Sequence, residues 1–293
     1  MVFGEFELHS LSDGFFGLDG GAMFGVIPRP VWLKTNPPDE RNRIRLALRP
    51  LLVVTPTERI LIETGIGDKG DAKFNDIYRV EKPDTLDASL ARAGFKPEDI
   101  TRVVLTHLHF DHCGGSTRLD ASGKPVPRFP NARHYVHAQE WALALNPNRR
   151  SRAAYLPDNN LPLQQAGLLE LVDSDRELVP GIELVRVGGH TPGMMLPFIR
   201  SAGRTALYWS DLLPTRAHIA TPYIMGYDLL PLETMERKEN LVSRAVAGKW
   251  LCFPGHDTEL ASGLIVQQDG NYTLRSPAPD ALAGVGSGVA GGC

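Results

Sequence analysis

Residues 106–115 read Thr106-His107-Leu108-His109-Phe110-Asp111-His112-Cys113-Gly114-Gly115. Three histidines and one aspartate fall within six positions, directly after the apolar run Arg102 to Thr106, which predicts a buried strand. On an extended chain, residues two apart point the same way. His107 and His109 can therefore converge on one point, while Asp111 and His112 turn towards a second point nearby. Gly114 and Gly115 remove side chains where the backbone is expected to bend. Neutral imidazole and carboxylate are the donor set of zinc and related divalent ions.

Three further positions share the same context. His190 lies in Gly188-Gly189-His190-Thr191-Pro192-Gly193, Asp211 in Tyr208-Trp209-Ser210-Asp211-Leu212, and His256 in Phe253-Pro254-Gly255-His256-Asp257. Each follows an apolar, strand-like run, and functional groups are often held on loops at the ends of a rigid scaffold. His134 and His137 enter a predicted helix, and His9 has no companions, so all three read as surface or core residues.

Around these motifs the chain divides into two batches of strands. The first comprises Phe6 to Leu11, a hairpin over Leu51 to Ile62, Arg102 to Thr106 and His134 to Val136. The second comprises Ile182 to Val187, Met195 to Ile199, Ala206 to Trp209 and Trp250 to Phe253. Helices are expected from an Asp84 cap through Leu86 and Leu90, over Ala138 to Leu145, and over Leu232 to Ala247. Two strand batches with helices outside them predict a four-layer α+β sandwich of the αββα type. One domain spans 1–276, with an apolar, Gly/Pro-punctuated arm at about 17–38. The Gly/Ala/Ser/Pro-rich stretch 277–293 reads as a disordered tail.

The order of the seven residues resembles the metallo-β-lactamase superfamily of dinuclear metal hydrolases. The resemblance implies that His107, His109 and His190 hold one metal, that Asp111, His112 and His256 hold the other, and that Asp211 bridges both. It implies two divalent ions, zinc foremost, with iron, cobalt or manganese as alternatives. Asp19 to Val26, Thr106 to Gly115, Phe129 to Ala132 and Ser210 to His218 further resemble bacterial quorum-quenching lactonases, which open the ring of N-acyl homoserine lactones. The implied reaction is attack of a metal-bridging hydroxide on the carbonyl, with Asp111 and Asp211 catalytic. Organophosphate triester or diester hydrolysis and promiscuous arylesterase activity are the alternatives on the same site. Iron-based redox chemistry and a non-catalytic binding module are competing classes, the second disfavoured by the presence of all seven residues.

The lactonases carry a tyrosine three residues after the bridging aspartate, where this chain has Pro214. Its role is then either absent or passed to His218, Tyr223 or Tyr227. Met23 and Phe24 on the arm, and His218, are the candidate substrate contacts, and the apolar arm also suits a homodimer.

The 293 residues are 42% hydrophobic with a formal net charge of −3. That balance disfavours nucleic acid as a partner, because phosphate binding needs a concentrated cationic surface. The expected partner is a small lactone or ester. No apolar run approaches the ~20 residues needed to span a bilayer, and Met1 to Leu11 lacks signal-peptide features. Three widely spaced cysteines without a CxxC pair fit a reducing compartment, so a cytoplasmic location is expected.

Overall fold

The computed structural model describes residues 1–276; the expected tail at 277–293 lies outside them. Two seven-stranded sheets form the centre, and in each the strands lie side by side in chain order. The first sheet holds β1 (Val2–Phe3), β2 (Phe6–Ser10), β3 (Leu51–Val54), β4 (Arg59–Ile62), β5 (Arg102–Val104), β6 (Arg133–His137) and β7 (Leu169–Val172). The second holds β8 (Arg176–Val179), β9 (Ile182–Arg186), β10 (Met195–Ser201), β11 (Arg204–Ser210), β12 (Leu251–Pro254), β13 (Gly263–Gln268) and β14 (Asn271–Arg275). Strands β4 to β7 run parallel, as do β11 and β12, and the remaining pairs are antiparallel.

Alternation along the strands makes the layers. Leu51, Val53, Ile60 and Ile62 point inward against Ile182, Leu184, Ala206, Tyr208 and Phe253 of the facing sheet. Their neighbours Leu52, Leu61, Val103 and Val136 point outward, under Leu86, Leu90, Trp141 and Leu163 of the covering helices. On the other side Leu207, Trp209 and Cys252 meet Leu241, Val242 and Ala245 of the Pro231–Gly248 helix. The fold is thus the expected αββα sandwich, with a period of two in the strands sorting each side chain to one of two cores.

Two local readings are corrected. The Leu86–Arg92 helix is capped by Thr85, whose hydroxyl accepts from Ala88 N at 3.2 Å, whereas Asp84 pairs with Arg92. Gly114 and Gly115 serve close approach more than bending. A Cβ there would stand 2.2 Å from the carbonyl oxygens of Ile66 and Thr64.

The arm is ordered. A two-stranded ribbon, Phe15–Asp19 with Arg43–Ala47, brackets two short helices, Gly20–Phe24 and Arg29–Trp32. Asp19 caps the first helix by accepting from Ala22 N at 2.8 Å. Phe16, Met23, Phe24, Trp32, Ile44 and Leu46 form a separate apolar cluster with Phe110 and Met225, so the arm packs on the body beside the His/Asp loops.

Candidate metal centre

All seven residues singled out in the sequence come together at one rim of the sandwich. His107, His109, Asp111 and His112 follow β5, in an extended stretch that turns helical over Phe110–Cys113. His190 follows β9, Asp211 follows β11 and His256 follows β12. The rim therefore draws on both sheets. It is also strained: Ser210, which sets the direction of Asp211, has φ +46°, and the buried Glu63 has φ +62°, costs of order 1–3 kcal/mol each that persist only where surrounding contacts over-determine them.

Three overlapping donor groups result, one of them Glu63 with His107 and His112 from the first sheet alone, and the other two joined by Asp211. Of those two, His107, His109, His190 and Asp211 form one, and Asp111, His112 and His256 form the other, with ligand atoms in each within 4.8 Å of one another. Asp211 stands between them. Its Oδ2 lies 3.1 Å from His190 Nε2 and 3.8 Å from His107 Nε2. Its Oδ1 lies 3.1 Å from His256 Nε2 and 3.4 Å from His112 Nε2.

The proton positions test whether these residues suit a metal. His256 Nδ1–H donates to Ala47 O at 2.8 Å, a partner that can only accept, so in the neutral ring Nε2 is the ligating nitrogen. His190 Nδ1–H likewise donates to Asp228 Oδ1 at 2.7 Å. Both Nε2 atoms face a carboxylate oxygen and a second imidazole nitrogen: His190 Nε2 is 3.0 Å from His109 Nδ1, and His256 Nε2 is 3.1 Å from His112 Nε2. Buried His107 Nε2, His109 Nε2 and Asp211 Oδ1 have no hydrogen-bond partner. Converging acceptors of this kind repel unless a cation lies between them. A tetrahedral ion with donors at ~2.0–2.1 Å holds them roughly 3.3 Å apart, close to the separations found.

The electrostatics of His107, His109 and Asp211 agree, whereas nearby carboxylates raise His112 and His190. Burial and the neighbouring imidazoles drive His107 far below its ordinary pKa, and burial with His190 takes His109 down to about 3, so both rings stay unprotonated. Burial opposes ionisation of Asp211, but His112, His190 and His256 outweigh it and hold the carboxyl well below the usual range.

A family model described as the metallo-beta-lactamase superfamily matches residues 50–256, which contain all seven positions. The chain belongs to the metallo-beta-lactamase superfamily. It is a metal-dependent hydrolase of that fold. A probable metal-dependent hydrolase from Staphylococcus aureus is 33% identical, with a TM-score of 0.85 over 95% of this chain and 100% of that one. The N-acyl homoserine lactonase AiiA of Bacillus thuringiensis subsp. kurstaki is 27% identical over 222 residues, 71% of this chain and 80% of its own. AiiB of Agrobacterium fabrum, also named an N-acyl homoserine lactonase, is 27% identical over 273 residues, covering 84% and 93%.

A cavity of about 170 Å³ opens onto this centre. His109, Asp111, His190, Asp211 and His256 lie in its lining, with Leu18, Met23, Phe110 and Met225 as apolar wall and Tyr78, Arg150, Ser151 and Tyr227 as polar groups. Of the expected substrate contacts, only Met23 is there. Phe24 points away and stacks between Trp32 (5.3 Å, 10° between planes) and His218 (4.7 Å, 7°). His218 is buried with both nitrogens engaged, Nδ1 by Thr215 Oγ1 at 2.8 Å and Nε2 by Met23 O at 2.9 Å. Placing Phe24 and His218 against substrate is therefore corrected: both hold the arm.

Three buried carboxylates escaped the sequence reading. Glu63 ends β4; its Oε1 accepts Thr106 N at 2.9 Å and its Oε2 lies 3.4 Å from His112 Nδ1. Asp228 orients His190. Glu140 accepts from Leu108 N at 3.0 Å and Tyr155 Oη at 2.9 Å beneath the His/Asp loop. The acidic residue closing the apolar run Ile60-Leu61-Ile62 was a visible signal for Glu63; nothing local marked Asp228. Such outer partners fix the tautomer and aim of ligands, and losing one costs roughly 10–100-fold in metal affinity. Asp228→Asn is expected to lose metal in that range, measured by competition with a chromogenic chelator, while circular dichroism stays that of the wild type.

Proposed function

We propose that this hydrolase opens the ring of N-acyl homoserine lactones, using two divalent ions, zinc foremost. The observation that carries the reading is Asp211 dividing its two oxygens between two ligand groups in the lining of a cavity with an apolar wall. Relatives named as lactonases, matched over most of their length, support the substrate class.

Bound there, paired divalent ions supply Lewis acidity and bring the pKa of water towards neutrality. His107, His109 and His190 on one side, and Asp111, His112 and His256 on the other, would hold them, with Asp211 shared. The protein contributes the rest. Leu18, Met23 and Met225 cover an acyl chain and exclude water, methionine adapting to irregular apolar shapes. Burial disfavours a charged Asp111, yet His112 and His256 keep it ionised, so this carboxylate at the cavity edge can accept a proton from water and return it to the departing ring oxygen.

Pro214 leaves the lactonase tyrosine position without a hydroxyl. Among the three alternatives, His218 is committed to Met23 and Thr215, and Tyr223 packs edge-on against Phe24 at 6.1 Å outside the lining. Tyr227 alone borders the cavity. Burial and the charges of Asp19 and Asp111 push its pKa up, so it stays a protonated donor. Its proposed role is to hydrogen-bond the substrate carbonyl as charge develops on oxygen, supported by its place in the lining. Tyr227→Phe should lower kcat about 10–100-fold at unchanged metal content; equal kcat in the variant would remove that role.

The reading is tested by a pH-stat panel on purified protein with its metals quantified. It compares short- and long-chain acyl homoserine lactones, a simple lactone, an aryl ester and a phosphotriester. Highest kcat/KM on an acyl homoserine lactone with two zinc ions per chain is expected. A phosphotriester turned over faster, with lactones inert, would replace this reading by the organophosphate alternative.

A further inference from the structure

Lys238 lies inside the Pro231–Gly248 helix with only 1% of its surface exposed. Among the described residues it forms no ion pair. Its Nζ donates instead to three carbonyls of one loop, those of His218 (2.9 Å), Ala220 (3.0 Å) and Tyr223 (2.8 Å). An ammonium has three protons, so each is used once. Burial lowers the Lys238 pKa to about 7, and maintaining a charge here is costly where a leucine would pack freely.

The loop it gathers continues to the arm. His218 Nε2–H donates to Met23 O, which leaves its Nδ1 to accept from the Thr215 hydroxyl. Phe24 is stacked on the other face of the contact, between His218 and Trp32. Gly226 N donates to Ala22 O at 2.7 Å, and a Cβ on Gly25 would meet Ile224 O at 2.3 Å, so the two segments are in close backbone contact. Met23 from the arm and Met225 from the loop then supply the apolar wall of the cavity.

We propose that Lys238 and His218 form a clamp that sets substrate specificity from outside the cavity, joining the 215–228 loop and the 20–32 arm into one rigid wall against which an acyl chain packs. Lys238 reaches neither substrate nor the His/Asp centre; it is a positioning residue. The chain-length part of the inference rests on the lactonase reading, while the clamp itself does not.

Two variants are compared with wild type. Lys238→Met keeps the length of the side chain and leaves the His218 and Tyr223 carbonyls without their donor, while the Ala220 carbonyl keeps Tyr223 N at 3.0 Å. His218→Phe keeps the ring stack and removes both hydrogen bonds. Each is expected to raise KM for long-chain acyl lactones on the order of tenfold, the size associated with unsatisfied buried carbonyls. Because the same loop carries Tyr227 and Asp228, kcat on a short lactone and metal content are measured in parallel, and the long-chain kcat/KM should fall by more than the short-chain value, so that their ratio falls. Hydrogen exchange of amides in 20–32 and 215–228 should accelerate about tenfold or more in both variants, with β3 to β6 unchanged. Unchanged exchange in His218→Phe overturns the clamp, as does acceleration spread evenly over the molecule. If Lys238→Met does not fold, His218→Phe decides alone. If no lactone is turned over by wild type, the functional reading fails, and exchange still decides whether the clamp exists.

Discussion

Asp211→Asn is expected to lose metal and turnover together. The substitution preserves shape but replaces one of two anionic oxygens with an amide nitrogen that cannot ligate. Because Oδ1 and Oδ2 face different donor groups, the loss is felt on both sides. Metal content measured by plasma emission should drop below two per chain, and kcat/KM should fall on the order of 10³-fold or more, the scale of removing a principal electrostatic group from an active site. Retention of both ions with near wild-type turnover would end the dinuclear reading. Asp111→Asn separates the roles: it touches only the second group, so the first should keep its ion.

Chelation is the second large effect. With both ions about 1,000-fold above their Kd, each adds roughly 4 kcal/mol to folding, so stripping them should lower Tm by on the order of 10–20 °C. Readdition of zinc should restore it, as followed by calorimetry. Acid is expected to act in the same direction, because only unprotonated imidazole ligates. The sign follows from the site. His107 and His109 are held below their ordinary pKa and offer little competition from protons. His112 and His190 are held above theirs, against burial, by Asp111 and Asp211 for the one and by Asp211 and Asp228 for the other. As pH falls, protons therefore compete first at those two rings, one in each donor group, and occupancy of both should decline together. A Tm indifferent to chelator at neutral pH would contradict this account.

The fold and the seven rim residues were legible because their signals are local. The β3–β4 hairpin, the Arg102–Val104 strand and the Pro231–Gly248 helix each announce themselves in periodicity, and the histidine motif lies within a single turn of chain. The seven also share one context, the end of an apolar run. What could not be read is pairing across distance. His256 takes its proton acceptor from Ala47, 209 residues away, and Met23 meets His218 across 195. No window on the sequence contains both partners. Met23 and Phe24 show a finer limit. They are neighbours of similar hydrophobicity on one short helix, where successive side chains diverge by about 100°. One faces the cavity and the other faces His218; which is which depends on how the arm docks. Thr85 displacing Asp84 as the cap is the same difficulty over one residue.

Each of the two donor groups that Asp211 joins takes members from loops of both sheets: residues 107–112 belong to the first, whereas His190, Asp211 and His256 belong to the second. A chain emerging from the ribosome has synthesised the whole histidine motif, and the Glu63, His107 and His112 group, long before it reaches Asp211, but until then it has neither group completed by a residue of the second sheet. Filling the pair of groups that Asp211 joins must therefore follow the docking of the two halves, so a second ion held there reports that the halves have met.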